Sequence, residues 1–199
     1  MKTIITTLVT SAVFSDDGSK RYLLRKVWDE KKDSVAVIML APSGASGIEL
    51  DTTTQLVLNN VARLGYGSVS IVNLFALLED FQLKRTEEDD RENLETIIRE
   101  AQEASCVIYA PGVGKAKNKV FQDRQRQVLE ALRPFEDKLY CLCDKQGTSR
   151  LQHPLSPAVR VWYISRFKVS ELLGEVQMVK EEKPKKKGPK AKEPKEAAK

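Results

Sequence analysis

The apolar and polar positions in the first fifth of the chain predict three β-strands. Residues 3–14 are rich in isoleucine, threonine and valine, a composition that is typical of strands. Turn-forming residues at 16–19 separate this segment from a second strand over 22–28, so we expect the two to form a β-hairpin. The continuous apolar run over 35–40 then predicts a central strand that is covered on both faces.

The rest of the chain alternates between helical and strand patterns. An amphipathic helix is predicted over 51–64, with Asp51 or Thr52 as its N-cap and Gly65 after its last turn. The later elements are a strand over 68–72 that ends at Asn73, a charged linker over 79–91, a helix through Ala104, a strand over 106–110, a loop over 111–118, a helix over 119–132, a strand over 138–143, an extended stretch over 151–163 and a short final helix around Leu172 and Leu173. This order predicts a three-layer α/β/α fold with a mainly parallel central sheet plus the N-terminal β-hairpin.

The charge of the chain is concentrated at its C-terminus. The net charge is +5, and residues 180–199 alone contain nine lysines and four glutamates, so residues 1–179 are formally neutral. We therefore expect one α/β domain over 1–175 and a disordered, lysine-rich tail over 176–199. A neutral body lacks the clustered cations that a dedicated duplex-binding surface needs.

The cysteine and histidine content argues against metal or disulfide chemistry. Cys106, Cys141 and Cys143 lie in strand-like apolar runs and are expected to be buried free thiols in a reducing, cytoplasmic compartment. With one histidine and no second cysteine pair, we expect no metal and no other cofactor. No apolar stretch approaches the roughly 20 residues of a membrane span, and the N-terminus resembles a strand more than a signal peptide, so no membrane association is expected.

Loops that follow the predicted parallel strands are the candidate binding sites, because ligands of open sheets bind beyond the carboxyl ends of strands. In the loop over 41–47, the small residues Ala41, Pro42 and Ser43 would let backbone amides approach an anion at the next helix N-terminus. An ordinary strand-to-helix connection explains the same residues. Asn73 could read one edge of a heterocyclic base, or it could simply cap a turn.

Two further loops carry polar candidates. A phosphate cradle between the third and fourth parallel strands would use Gly112, Gly114, Lys115 and Asn118, although a solvated helix start has the same composition. His153, the only histidine, precedes Pro154, Leu155 and Ser156 on a stiff loop, where it could act as a hydrogen-bond donor or acid, or be a structural residue.

Two other interpretations stay open at this point. A hydrolase triad would need a serine, the histidine and an acid, and the available sets are Ser43 or Ser156 with His153 and Glu49, Asp51 or Asp144. Ser43 does not lie in a G-x-S-x-G motif, which argues against this arrangement. The alternative is a non-catalytic binding module, in which side chains such as Phe75 or Trp162 would fill the pocket.

Four blocks together carry a family resemblance: Ile38 to Ser43 with Asp51 to Thr54, Gly65 to Ala76 with its VNLFA sequence, Tyr140 to Leu142, and Gly147 leading into His153-Pro154-Leu155. Over most of residues 20–158 the chain resembles the bacterial family called domain of unknown function 1643 (DUF1643). The family usually has asparagine where this chain has Ala41.

More distantly, the same blocks are similar to the uracil-DNA glycosylase superfamily, whose members have a three-layer α/β fold. This resemblance implies that the first motif corresponds to Ala41, Pro42 and Ser43, that Asn73 reads the base, and that His153 stabilises the departing base. The implied activity is N-glycosidic hydrolysis, and the implied partner is DNA, a nucleotide or a nucleobase.

The resemblance also assigns roles to residues around these motifs. Leu155 would lie beside a flipped nucleotide, with Ser156 one place after the position where the superfamily has serine. Glu49 and Asp51 would be the nearest carboxylates for activating water, because the first motif itself carries none.

Overall fold

The computed structural model describes residues 1–44, 47–78, 91–115, 117–148 and 150–173. The lysine-rich tail expected over 176–199, and nearly all of the charged linker expected over 79–91, lie outside the described residues.

Seven strands form one sheet. They are β1 (Val9–Phe14), β2 (Arg21–Val27), β3 (Ser34–Met39), β4 (Ser68–Asn73), β5 (Cys106–Tyr109), β6 (Leu139–Cys143) and β7 (Tyr163–Arg166), in the spatial order β1-β2-β4-β3-β5-β6-β7. The pairings among β4, β3, β5 and β6 are parallel, whereas β1–β2, β2–β4 and β6–β7 are antiparallel. The sheet is therefore mixed, and the expectation of a mainly parallel sheet is wrong.

Antiparallel additions at both edges account for this difference. The N-terminal hairpin is not an appendage, because β2 pairs directly with β4 and extends the sheet. At the other edge, the chain passes through a short 3-10 helix (Pro157–Val159) and returns as β7 against β6. The sequence pattern indicated only an extended stretch up to Tyr163, and the strand begins at that residue.

Helices cover the sheet on both faces. The α-helices with defined bounds in the described part of the chain are α1 (Thr52–Arg63), α2 (Arg91–Glu103) and α3 (Lys119–Ala131). A 3-10 helix (Arg133–Lys138) leads into β6, and a further helical segment occupies residues 169–173. Side chains of β3 alternate between two cores: Val35, Val37 and Met39 pack with α1, and Ala36 and Ile38 pack with α2 and α3. The strand is thus buried on both faces, as its continuous apolar run predicts. Among the described residues, no helix combines the length and apolar character needed to cross a membrane.

The ends of α1 match their sequence signals. Asp51 is the N-cap, and its Oδ1 accepts a hydrogen bond from the backbone N–H of Thr54 at 2.7 Å. The helix ends before Gly65, whose φ of +95° is a left-handed conformation that glycine adopts without strain.

The first strand is shorter than its composition indicates. We expected a strand over 3–14, but β1 begins at Val9, which pairs with Val27, the last residue of β2. Residues 1–8 therefore extend past the end of their partner strand, and they are exposed and have no regular secondary structure.

Replacing Gly67 should destabilise the fold. A Cβ atom at this position would lie 1.9 Å from the backbone oxygen of Asp29, and the Gly67 carbonyl accepts hydrogen bonds from the backbone of Trp28 and Asp29. Because these backbone atoms cannot move apart without breaking the turn, Gly67→Ala should lower the free energy of unfolding by about 2 kcal/mol or more.

Gly44→Ala is the matched control, since its Cβ would meet no atom within 4 Å. Urea denaturation should show a change of no more than about 0.5 kcal/mol for this variant. Equal losses for the two variants would contradict the steric argument.

Candidate functional site

The loops after β3 and β5 diverge at the carboxyl end of the parallel strands. β3 and β5 are neighbours, yet the loop from β3 leads to α1 on one face and the loop from β5 leads to α3 on the other. Such a switch point leaves a crevice between the loops, and open α/β sheets bind their ligands there.

Two buried cations from β2 hold the loop between β3 and α1. Arg21 Nη1 donates to the carbonyl oxygen of Ser43 at 3.1 Å, and Lys26 Nζ donates to the carbonyl oxygen of Gly47 at 2.7 Å and to Thr10 Oγ1 at 2.9 Å. Both cationic residues are only 1% exposed. Burial lowers the pKa of each; the charge of Arg21 lowers the Lys26 pKa further, whereas the carboxylate of Asp51 opposes the shift at Arg21.

Sequence reasoning missed both of these cations. The sequence pattern gave no signal for them, because it does not show that β2 pairs with β4 and lies beside the covered strands. A cation that is buried in a folded protein requires oxygen acceptors, and backbone carbonyl groups of the small-residue loop provide them here.

Asp51 has a buried carboxylate oxygen at the start of α1. Its Oδ1 caps α1, whereas its Oδ2 is buried and makes no hydrogen bond of normal geometry among the described residues, as is also true of Ser43 Oγ. Burial acts to raise the pKa of Asp51, but the nearby Ser43 hydroxyl and the first-turn threonines outweigh it and hold the pKa below its usual value. The carboxylate is therefore ionised at neutral pH, and one of its oxygens can receive a hydrogen bond from water or a ligand.

His153 is fixed in a tight turn that defines its tautomer. The backbone N–H of Ser156 donates to the His153 carbonyl oxygen at 2.8 Å, and the backbone N–H of Leu155 donates to His153 Nδ1 at 3.2 Å. Because Nδ1 accepts a hydrogen bond, this network assigns the proton of the neutral ring to Nε2. Burial lowers the pKa of the imidazole and the charge of Asp51 partly opposes the shift. His153 is thus a neutral hydrogen-bond donor through Nε2 at pH 7.

Gly112 brings the loop after β5 against this histidine. Its φ is +81°, and a Cβ atom there would lie 3.0 Å from His153 Cβ. The structure therefore brings Ser43, Asp51, Gly112 and His153 together, from three separate loops.

Asn73 lies at the same end of the sheet. It is the last residue of β4 and is in register with Met39, the last residue of β3. Asn73 is 1% exposed, its backbone carbonyl accepts a hydrogen bond from Asn93 Nδ2 at 3.0 Å, and its own Nδ2 is buried without a hydrogen-bond partner among the described residues. Its side-chain NH₂ group is therefore not used to cap a turn within the part of the chain that is described.

The remaining candidates lie around this group or serve the fold. Asn118 Oδ1 accepts from the backbone N–H of Phe121 at 3.1 Å and caps α3, as a helix start requires. Gly114 and Lys115 are exposed. Ala41 is half-buried, Pro42 is buried, and Glu49 and Leu155 are exposed.

Several members of the alternative triads are already engaged elsewhere. The Ser156 hydroxyl donates to Gln152 Oε1 at 2.7 Å, and the Asp144 carboxylate accepts from the backbone and hydroxyl of Thr148. Trp162 packs in the core beneath α1, where its backbone N–H donates to Asn60 Oδ1. These contacts leave Ser43 and Asp51 as the serine and the acid of those sets that have a buried side-chain oxygen without a hydrogen-bond partner among the described residues.

Substitutions of Asp51 should separate its capping role from its charge. Asp51→Ala removes the cap and should lower the free energy of unfolding by about 1 kcal/mol, whereas Asp51→Asn keeps a capping oxygen and should lower it by only a few tenths, roughly 0.3 kcal/mol. Chemical denaturation at pH 7 measures both.

The stabilising contribution of Asp51 should also depend on pH. Because folding depresses the pKa of Asp51, this contribution is complete above the ordinary value of 3.8 and is lost as the pH falls below it, so the stability advantage of the wild type over Asp51→Ala should shrink in acid. A gap that widens in acid would contradict this assignment.

Comparison with known proteins identifies the family. No curated protein matches the chain. A protein-family model matches residues 21–155, a range that contains Arg21, Asp51, Asn73 and His153. This match confirms the family resemblance seen in the sequence blocks. The chain belongs to the family described as protein of unknown function (DUF1643).

Proposed function

We propose that the protein binds a nucleobase-containing ligand, as a nucleoside, a nucleotide or DNA, at the carboxyl ends of β3, β4 and β5, and hydrolyses its N-glycosidic bond. The observation that carries this proposal is the hydrogen bond from Leu155 N–H to His153 Nδ1, which makes Nε2 a donor. A neutral donor stabilises the negative charge that develops on a departing base.

The same hydrogen bond disfavours a serine hydrolase. In a Ser-His-Asp triad the acid accepts from Nδ1–H while Nε2 takes the proton of the serine. His153 uses Nδ1 as an acceptor from its own turn, so Asp51 cannot accept a hydrogen bond from that atom and Nε2 has no lone pair for the Ser43 hydroxyl.

In the proposed hydrolysis, a carboxylate activates water and two hydrogen-bond donors stabilise the departing base. Asp51 Oδ2 orients a water molecule and accepts its proton as the water oxygen bonds to the anomeric carbon. The glycosidic C–N bond breaks, and its electron pair leaves with the base. The anionic base then receives hydrogen bonds from His153 Nε2–H and from Asn73 Nδ2–H. Asn73 Nδ2 has no other hydrogen-bond partner among the described residues.

A second candidate function is base binding without chemistry. It is favoured by the use of Asp51 Oδ1 as the helix cap, which fixes the carboxylate and limits its movement toward a water molecule. The two functions share the donors and differ only in whether Asp51 acts on water.

Base-release assays distinguish these functions. The full chain would be incubated with single-stranded and duplex oligonucleotides that contain uracil and other altered bases, and with free nucleosides and nucleotides; released bases and alkali-labile sites would be quantified. We expect His153→Ala and Asp51→Asn each to reduce the release rate by roughly 100-fold or more. Glu49→Gln, in which an exposed carboxylate is altered, should release base at the wild-type rate.

The pH profile provides an independent check. Protonation of Nδ1 would break the bond from Leu155, so the rate should be constant from pH 8 to the ordinary imidazole pKa of 6.5 and fall only at lower pH. Base binding that is weakened by His153→Ala, without release of any base, would favour the second candidate. The proposal is overturned if the protein neither releases nor binds any base.

A further inference from the structure

β1 is an edge strand that lacks most of the usual protection against pairing. It is paired with β2 on one side, and no strand of the described residues pairs with its other side. Residues 3–15 include no charged side chain and no proline, and large apolar residues are exposed along them: Ile4, Ile5, Leu8, Val9, Val13 and Phe14. Natural edge strands are usually blunted by charges, prolines or bulges. The one irregularity in this pairing is a register shift between Val13 and Phe14, and its extra residue, Tyr22, lies in β2.

Part of this segment has the composition of a strand but no partner strand among the described residues. The pattern predicts a strand over 3–14, whereas intrachain pairing starts at Val9 because β2 ends opposite that residue. Residues 3–8 therefore form an exposed, uncharged extension beside an open strand edge.

We propose that a second copy of this chain pairs with β1 in antiparallel orientation, with the two-fold axis at Val9, and joins the two sheets into one. In this register, residues whose numbers add up to 18 lie opposite each other. Val9 faces the partner's Val9, and Ile5 faces the partner's Val13. Closed two-fold pairing of this kind uses one surface on both copies.

Side-chain and charge complementarity select this register. Ile5, Val9 and Val13 are spaced by four, so they share one face of the strand and make a continuous apolar row with their counterparts. At each end of the pair, Lys2 lies beside the partner's hairpin turn, which contains Asp16, and these opposite charges favour the antiparallel orientation. A shift of two residues in either direction would place Ile5 opposite a serine, Ser11 or Ser15, and would break the apolar row.

Disulfide trapping tests the axis directly. Directly opposed residues of antiparallel strands have Cα atoms about 4.5–5.5 Å apart, within disulfide range. In the full chain, Val9→Cys should therefore form a covalent dimer under mild oxidation, and the native cysteines do not compete because all three are buried. Val161→Cys is the control, since Val161 is 50% exposed and Val9 is 55% exposed.

Sedimentation of the untrapped protein completes the test. The wild type should dimerise, and Val9→Lys, which places two like charges at the axis, should raise the dissociation constant at least about tenfold while leaving the circular dichroism spectrum unchanged. The proposal is overturned if the wild type stays monomeric up to about 100 μM, a range that detects weak interfaces. It is equally overturned if Val9→Cys crosslinks no better than Val161→Cys, or if Val9→Lys dimerises as tightly as the wild type.

Discussion

Hydrogen bonds from two buried cations fix the loop on which the candidate site depends. Arg21 and Lys26 extend from β2 under the loop between β3 and α1 and donate to the carbonyl oxygens of Ser43 and Gly47. Movement of the loop would leave both cations buried without their oxygen acceptors, which is strongly unfavourable for the folded state. The two cations therefore hold the loop in place. At the end of the same loop, Asp51 caps α1. The position of Asp51 is therefore fixed both by the held loop and by the helix that it caps.

The chemistry of the site follows from a second local constraint, the turn that starts at His153. Because the turn uses Nδ1 as an acceptor, the ring can present only a donor to the crevice while it is neutral. Burial favours that neutral state, and the carboxylate of Asp51 is close enough to influence it. An ionised carboxylate beside a neutral donor suits water activation on one side of a bond and charge stabilisation on the other.

Local patterns in the sequence predicted those parts of the fold that are determined locally. The cap at Asp51, the left-handed Gly65 and the two-sided burial of β3 each follow from a few neighbouring residues, and each was found. The strand partners depend on contacts between distant segments, so neither the pairing of β2 with β4 nor the return of β7 was evident from the pattern. The same limit applies to the site, since Arg21 and Lys26 are recognised only when the loop that they hold is placed above them. Composition alone left two interpretations for Asn118, a phosphate-binding residue or the start of a helix. The structure shows a capping hydrogen bond, which the second interpretation explains.

Nitrogen-15 NMR of the imidazole provides the most direct test of this arrangement, because His153 is the only histidine in the chain. The expected result is a neutral Nε2–H tautomer at pH 7, with a pKa below 6.5 that falls further in Asp51→Asn, where the charge that raises it is absent. An Nδ1–H tautomer would contradict the assignment of Nε2 as the donor, and a pKa that does not change in Asp51→Asn would show that the carboxylate and the imidazole do not share one site.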